Sequence, residues 1–387
     1  MKLFPSVDRK KGMDWVLALL VLVLTGFGLI FIYDASVVLA SRDFNDPLFF
    51  LKNQLVWVLA GVVLGAVVSQ IDYHFWQKTG KIWLVITFVC LILVLIPALS
   101  QETYGARRRL NLPFSLPVVG TVGFQPSEMA KFTLIIYLAS FLTKVSSQIK
   151  KTKSLRQNFL NTFITRFLPF VAILGIAVLL IMKEPDLGTS MVLSFSALLL
   201  YVFSGAGMVE SLTLIFGGAV LGLSFILLSE YRQVRFFSFL NPEANKLIEG
   251  YHINQSLIAL GSGGLFGLGL GASRQKFQYL PEVTTDSIIA VVGEELGFLG
   301  TMLVILLLLF IVYRGLLVVK KAKDKYGQLL SFGIISIIMI QSFLNLGSML
   351  ALIPLTGVPL PFVSYGGSNM LILLLGVGVL LNISKSK

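Results

Sequence analysis

Carboxylates and cations recur in short motifs between long apolar runs, and these side chains are the best candidates for chemistry. Asp286 precedes the run that begins at Ile288, so a helix starting there would hold its carboxylate at the end of the run, facing the loops. Partial desolvation at such a position makes a carboxylate a better proton acceptor. Glu294 and Glu295 follow deeper in the run, where unpaired charge is expensive. These acids require cations, and the candidates are Lys131, Lys183, Arg274 and Lys276.

A second motif, Gln125-Pro-Ser-Glu-Met-Ala-Lys131, leads from the arginine-rich segment that contains Arg107 and Arg108 into an apolar run. Its proline suits the first turn of a helix, which makes Glu128 and Lys131 an i,i+3 pair on one face. Ionisable groups at the edge of an apolar span are costly unless they are paired or useful. The pair is therefore either part of a functional site or a local salt bridge at the helix end.

A third motif, Glu184-Pro-Asp-Leu-Gly-Thr189, forms a very short turn between two apolar runs. The turn brings Lys183, Glu184 and Asp186 to the same face of the protein. Asp186 either supports a site there or only caps the helix that follows.

The glycine loop, Gly261–Gly271, precedes Arg274, Lys276 and Glu282. Glycine at this density permits tight bends and close backbone approach. Nucleotide binding is excluded, because no Gly-Lys-Ser/Thr follows and no βαβ unit surrounds the loop. Near the C-terminus, the segment 354–368 combines prolines and glycines with Ser364, which rules out a regular helix. It is either a substrate-contacting loop or a structural re-entrant turn.

Composition shows which elements must position these groups. Of the 387 residues 56% are hydrophobic and 13% charged, whereas soluble domains carry about a quarter charged residues. The fold class is therefore an all-α integral membrane protein with about ten transmembrane helices, forming a single polytopic domain over residues 1–387. The predicted spans are 14–33, 54–70, 82–98, 127–143, 167–182, 189–205, 211–229, 288–313, 329–352 and 369–383.

The net charge of +12 is mostly a topology signal. Lysines and arginines concentrate at the N-terminus and in the short segments 144–166 and 314–325, so the positive-inside rule places both termini in the cytoplasm. We read the first span as a retained signal anchor. Three extracytoplasmic segments follow, 99–126, 230–287 and 353–368, and they contain most of the motifs. Basic residues without interleaved aromatics give no support for nucleic-acid binding.

Other features are less informative. The single cysteine, Cys90, excludes disulfides, and two histidines far apart in sequence make a zinc site improbable. Glycine pairs at Gly61/Gly65 and Gly218/Gly222 permit close helix packing, which we expect to occur within the chain.

In their order along the chain, the motifs resemble the signature of the SEDS family, which comprises FtsW, RodA and SpoVE. Five stretches carry the resemblance: QPSE-x-x-K, PD-x-G-T, GSGG-x-x-G with LPE-x-x-TD, EELG-x-x-G and P-x-TG-x-PLP-x-x-SYGGS. The run from Ser273 to Glu282 looks more like the division branch, FtsW, than the elongation branch, RodA.

The resemblance implies a multi-pass protein of the bacterial cytoplasmic (inner) membrane that polymerises lipid II into peptidoglycan strands. Asp286 matches the family's essential acid, and we assign it as the general base. Lys131, oriented by Glu128, is the first candidate to bind the departing diphosphate. A second tier of substrate-binding candidates comprises Arg107, Arg108, Lys183, Asp186, Arg274, Lys276, Glu282 and Ser364.

The implied partners are a class B penicillin-binding protein, other membrane proteins of the division or elongation complex, and membrane lipids. A divalent cation, Mg²⁺ or Mn²⁺, is a possible cofactor, and no organic cofactor is expected. The chain departs from the family where Arg109 replaces the usual tryptophan, Ser287 the usual phenylalanine and His252 the common glutamine. Two alternatives remain, a lipid II flippase and a noncatalytic division scaffold, although no internal repeat supports a transporter.

Overall fold

The computed structural model describes residues 12–103, 106–116, 120–148, 160–228, 230–240, 249–277 and 279–385. Nine helices in these ranges are long and apolar enough to cross a membrane, and Leu187–Phe203 is a shorter apolar helix. The all-α membrane fold with about ten spans is confirmed. In chain order the helices are α1 Trp15–Phe44, α2 Phe49–Val68, α3 His74–Leu93, α4 Pro126–Gln148, α5 Leu168–Lys183, α6 Leu187–Phe203, α7 Met208–Leu227, α8 Glu230–Leu240, α9 Glu249–Ser262, α10 Ile288–Lys321, α11 Lys325–Met349 and α12 Gly367–Lys385.

Three predicted boundaries are wrong because helices continue past the apolar core of a span into polar sequence. Helix α1 extends to Phe44 instead of ending near residue 33, and α10 extends to Lys321 instead of residue 313. Helix α3 begins at His74, ahead of the predicted residue 82, because long Lys78 and Lys81 side chains can reach the interface from a helical turn. The basic segment 144–166 lies partly outside the described residues.

Helices α4, α11 and α12 form the centre of the bundle. In the apolar 18-residue stretch of each, 67%, 72% and 72% of the residues are buried. Helix α12 packs closely on α2, where a Cβ at Gly378 would collide with the carbonyl oxygen of Gly65. Gly61 likewise faces Leu374 of α12, so the first glycine pair serves packing within the chain. By contrast, α7 buries only Glu210, and nothing lies within 4 Å of a Cβ at the second glycine pair.

The first extracytoplasmic segment is a three-stranded antiparallel sheet, where the sequence predicts only a loop. Its strands are β1 Ser100–Thr103, β2 Ala106–Leu116 and β3 Gly120–Phe124, in that spatial order. Arg107 and Arg108 lie on the central strand. The third segment contains no helix before Gly367, as its prolines and glycines predict.

The glycine loop forms hydrogen bonds with the backbone of α10 at a break in that helix. Gly297 adopts φ 68° and ψ −163°, a left-handed backbone conformation that favours glycine, and the helix interrupts its own hydrogen bonding there. The loop supplies replacements: Gly269 N donates to the Glu295 carbonyl at 3.0 Å, and Phe298 N donates to the Gly264 carbonyl at 2.9 Å. Nonhelical backbone at this depth is tolerated because protein partners satisfy it.

Candidate functional site

Asp286 lies two residues before α10, as predicted, and is 6% exposed. The hydroxyl of Thr285 is 3.1 Å from Asp286 Oδ1 and 2.9 Å from Glu282 Oε2, so its single hydrogen reaches one carboxylate at a time. Asn345 Nδ2 on α11 donates to the backbone carbonyl of Asp286 at 2.8 Å. The backbone of Asp286 is therefore fixed by the central helices, while its carboxylate lies beside another acid.

The third extracytoplasmic segment packs directly against the Asp286 loop. Tyr365 N donates to the Thr284 carbonyl at 2.8 Å, and Asn345 Nδ2 also donates to the Val358 carbonyl at 2.8 Å. Ser364 is 1% exposed, and its hydroxyl accepts from Leu360 N at 2.8 Å. This hydrogen bond stabilises the turn at residues 360–364, directly before Tyr365. The structure thus brings the Asp286 and Ser364 motifs together.

Glu128 and Lys131 form a buried ion pair with Nζ and Oε2 2.8 Å apart, and Lys131 is only 2% exposed. Lys131 Nζ also donates to Gln341 Oε1 on α11 at 3.1 Å and to Asn369 Oδ1 on α12 at 3.5 Å. The pair is therefore more than a local link at a helix end, because it joins the three central helices. Its role toward a substrate stays a prediction.

Asp186 caps α6, accepting from Thr189 N at 3.0 Å and from its hydroxyl at 2.8 Å. The same carboxylate accepts from Gln125 Nε2 at 3.0 Å and Ser127 Oγ at 3.2 Å, which links it to the start of α4. The capping interpretation is confirmed. The contacts also join the second and third sequence motifs into one polar cluster.

Arg108 positions the α5–α6 turn. Its Nε and Nη2 donate to the backbone carbonyls of Glu184 and Pro185 at 3.1 and 2.6 Å. In this structure the guanidinium therefore binds main chain, and its predicted contact with substrate remains a prediction.

Glu184, the other acid of this turn, was left out of the predicted site. It is 0% exposed, and among the described residues neither carboxyl oxygen has a hydrogen-bond partner. Burial raises the pKa of Glu184 to about 9, and the nearby charge of Asp186 adds to the effect. Glu184 is therefore a neutral acid at pH 7. The sequence signal that could have identified Glu184 is an acid in a three-residue turn between two spans.

Lys276, which is buried, lies between two carboxylates, of which Glu295 is buried and Asp34 is half-buried. Its Nζ is 2.8 Å from Asp34 Oδ1 on α1 and 2.9 Å from Glu295 Oε1 on α10. Burial alone would lower the pKa of Lys276, but these two acids raise it above its usual value. Sequence reasoning identified Glu295 and Lys276 but missed Asp34, whose signal was an acid directly after the first apolar run.

Glu294 is satisfied by the same segment: Ser273 Oγ donates to Oε2 at 2.5 Å, and Arg274 N donates to Oε1 at 3.0 Å. The side chains of Arg274 and Lys183 are exposed, as is that of Glu282, whereas Arg107 is half-buried on β2. The predicted residues thus fall into three groups: the Asp286 loops, the Asp186 cluster with the Lys131 pair, and the Lys276 cluster.

The chain matches the FtsW/RodA/SpoVE family, described as cell cycle protein, over residues 14–387. It belongs to that family. Stage V sporulation protein E of Bacillus subtilis (strain 168) is 40% identical over 381 residues, covering 97% of this chain and 98% of the relative. A probable peptidoglycan glycosyltransferase FtsW of Geobacter sp. (strain M18) is 36% identical over 377 residues, covering 97% and 98%.

Two solved structures share the fold of this FtsW/RodA/SpoVE chain. One belongs to the study "Structural coordination of polymerization and crosslinking by a peptidoglycan synthase complex", with a TM-score of 0.73, 23% identity, and coverage of 96% of this chain and 97% of that one. The other is RodA of Thermus thermophilus, with a TM-score of 0.65, 23% identity and 96% coverage of each chain. The predicted family and fold class are confirmed.

Two of the residues by which this chain departs from the usual FtsW/RodA/SpoVE pattern contact each other. His252 Nε2 is 2.6 Å from Ser287 Oγ, and Ser287 donates its own hydrogen to the Pro281 carbonyl at 2.9 Å. His252 must therefore donate through Nε2. The two residues are therefore joined by a hydrogen bond directly beside Asp286. Arg109 is exposed, and its charge acts on Tyr365, whose pKa burial raises.

The residues do not form a ready metal site. In the part of the chain that the structure describes, no group of three or more His, Cys, Asp or Glu side chains is arranged to hold a metal ion. The carboxylates of Glu294, Glu295 and Asp186 are already engaged by protein donors. The predicted divalent cation stays a prediction, and none of the chemistry below is assigned to it.

Proposed function

We propose that this protein is a peptidoglycan glycosyltransferase that polymerises lipid II at the outer face of the bacterial cytoplasmic membrane. The observation that carries the proposal is the placement of Asp286, a carboxylate held at the start of α10 where two extracytoplasmic loops meet. Relatives that share nearly the full length of this chain bear the name peptidoglycan glycosyltransferase.

Asp286 acts as the general base. Its carboxylate removes the proton from the 4-hydroxyl of the acceptor sugar, and that oxygen attacks the anomeric carbon of the donor. The bond between this carbon and the lipid diphosphate breaks, and the bonding electrons leave with the diphosphate. Proton transfer of this kind contributes about 10²–10⁴ in rate. The Thr285 hydroxyl lies within hydrogen-bonding distance of both Asp286 and Glu282. Once Asp286 has taken up the proton, the hydroxyl can therefore donate to Glu282 instead.

The departing diphosphate requires positive charge. Lys131 is already neutralised by Glu128, and Lys276 by two acids, so these lysines position the helices more than they bind anions. Lys183 and Arg274 are exposed on the outer side and retain ammonium and guanidinium donors for a diphosphate. We assign them the first contacts with the leaving group, ahead of Lys131.

Division is the proposed cellular role, with a class B penicillin-binding protein as the cross-linking partner. FtsW names among the relatives support the role. The fold neighbour from a peptidoglycan synthase complex that polymerises and crosslinks supports the partner class.

The decisive experiment incubates purified protein, a class B partner and Mg²⁺ with lipid II and compares wild type with Asp286→Ala and Asp286→Asn on a glycan-strand gel. We expect strands from wild type and a loss of about 10²-fold or more in both variants. Asp43→Asn is the matched control, since it removes an exposed carboxylate from the outer end of α1, outside the proposed site, and should retain most activity.

Strands from Asp286→Ala at the wild-type rate would refute the catalytic assignment. Strands from no preparation, when a known polymerase is active in the same assay, would contradict the polymerase proposal. The same samples are then tested for lipid II movement across vesicles, which the flippase alternative requires and a scaffold lacks.

A further inference from the structure

The cytoplasmic end of the bundle, opposite Asp286, contains a cleft of about 310 Å³. It lies between the α2–α3 turn, the α10–α11 turn and the end of α12, and its walls include Gln70, His74, Lys323 and Lys385. The mechanism proposed above uses none of these residues. Ligand sites in proteins begin at about this volume.

Asp72 in the wall of the cleft, and Asp324 beside it, are neutralised within the protein. His74 Nδ1 is 2.7 Å from Asp72 Oδ1, and His74 Nε2 is 2.8 Å from Asp324 Oδ2. Since ionised carboxylates only accept hydrogen bonds, both ring nitrogens must carry hydrogens, and His74 is a cation there. Tyr73 OH and Gly327 N also donate to Asp324, each at 2.7 Å.

Hydrogen bonds keep both acids ionised. Donation from the His74 backbone and ring lowers the pKa of Asp72. Burial opposes ionisation of Asp324, but donation from Gly327, Tyr73 and His74 holds its pKa below the usual value.

The lysines of the cleft, in contrast, keep their charge available. Lys385 Nζ donates to the Ser69 backbone carbonyl at 3.0 Å, a neutral partner. Lys323 is exposed and has no carboxylate within ion-pair distance in the described residues. The two lysines and His74 outnumber the two acids by one charge. The Gln70 side chain, also exposed, adds an amide donor.

The surroundings point to a lipid. The cleft lies where helices α2, α3, α10, α11 and α12 reach the cytoplasmic face, the side on which lipid headgroups of that leaflet are found. Val67 and Phe75, 51% and 43% exposed, lie at the end of α2 and the start of α3, on either side of the α2–α3 turn, and offer apolar surface to acyl chains. Basic pockets between transmembrane helices on this side suit anionic headgroups.

We propose that this cleft binds the phosphate group of an anionic phospholipid from the cytoplasmic leaflet. Lys323, Lys385 and Gln70 donate to the phosphate oxygens, while His74 removes the repulsion of the two acids. Asn382 holds the wall rigid, since it accepts from Tyr73 N and donates to the Ser69 carbonyl, both at 3.0 Å. A bound lipid would link α2, α10 and α12 through one headgroup.

The test measures lipid binding by native mass spectrometry of the full-length protein, titrated with phosphatidylglycerol or phosphatidylcholine. Lys323→Gln/Lys385→Gln is compared with Lys81→Gln/Lys321→Gln, which removes the same charge from exposed cytoplasmic-side lysines that do not line the cleft. Because each lysine near a headgroup contributes about one kcal/mol, we expect roughly thirtyfold weaker phosphatidylglycerol binding in the first variant only. Thermal unfolding checks that both variants fold.

Three results would overturn the proposal. They are equal loss in the control pair, equal wild-type affinity for the two lipids, and inorganic phosphate competing as well as phosphatidylglycerol, which would indicate a free-anion site. His74→Gln tests the neutralisation step separately. It should weaken phosphatidylglycerol binding although both lysines remain, and unchanged binding would contradict that step.

Discussion

Two regions of the outer half bury carboxylates with opposite results. At the α10 break, Glu295 accepts from Lys276 at 2.9 Å and from the backbone N–H groups of Gly271 and Ser273 at 3.0 Å each. In the α5–α6 turn, Glu184 is equally buried, yet neither oxygen has a partner among the described residues. Burial therefore does not define what a carboxylate does. Hydrogen-bond donors make Glu295 an ionised structural element, whereas the absence of donors makes Glu184 a neutral acid.

The largest expected effect comes from breaking the α10 cluster. Lys276→Met leaves the buried Glu295 and the half-buried Asp34 without their cation, and removing one partner of a buried ion pair costs about 3–5 kcal/mol. We expect a large fall in the thermal unfolding temperature in detergent, with polymerase activity lost in parallel. If Lys276 instead binds substrate, activity would fall while the unfolding temperature stayed at the wild-type value.

The glycine loop should be nearly as sensitive, but most of all where an added side chain would collide with α10. Gly267 has φ 81° and its Cβ would collide with the carbonyl oxygen of Glu295, whereas Gly264 has φ 54° and open space around it. Gly264→Ala should cost about 1–2 kcal/mol of backbone strain. Gly267→Ala should cost about 1–3 kcal/mol more, since the loop must also move away from α10. Equal unfolding temperatures for the two variants would disprove the packing argument.

Glu184 predicts a pH effect. Its pKa is raised from 4.5 to about 9, so the folded state binds more protons than the unfolded state between these values. This contribution to stability is fully present below the unfolded pKa and is lost as pH rises through about 9. Glu184→Gln keeps a neutral side chain and should flatten the fall of unfolding temperature between about pH 6 and about pH 9. An unchanged slope would show that Glu184 has an anionic state the structure does not explain.

Its neighbour Lys183 should show the smallest effect on stability. The side chain is exposed, so Lys183→Ala should change the free energy of unfolding by less than about 0.5 kcal/mol. Because Lys183 is a proposed contact of the leaving diphosphate, Lys183→Ala should instead raise KM for lipid II severalfold in the glycan-strand assay. A KM equal to that of the wild type would remove Lys183 from the site.

The sequence predicts the features that depend on local pattern. Apolar runs give the spans, Pro126 marks the start of α4, and Asp186 caps α6 as its position before a helix suggests. The order of five motifs gives the family. These features need only neighbours within a few residues or a known arrangement of motifs.

Features that depend on distant partners could not be predicted. Asp34 was missed because it lies one residue beyond the predicted first span and its partner Lys276 is 242 residues further along the chain. The outer sheet was missed because its central strand carries consecutive arginines and no clear apolar alternation. Lys131 looked available for substrate because Gln341 and Asn369, which help to bury it, come more than two hundred residues later.

The separation of 242 residues between Asp34 and Lys276 has a consequence for biogenesis. Asp34 leaves the ribosome in the first membrane helix, long before Lys276 and Glu295 are synthesised. During most of translation the nascent chain therefore carries an acid in the outer half of α1 without its cation. We expect α1 to stay near the insertion machinery, or to keep Asp34 hydrated, until the tenth helix of the chain arrives. Site-directed crosslinking of α1 in truncated nascent chains, with Asp34→Asn as comparison, would show an early release in the variant only.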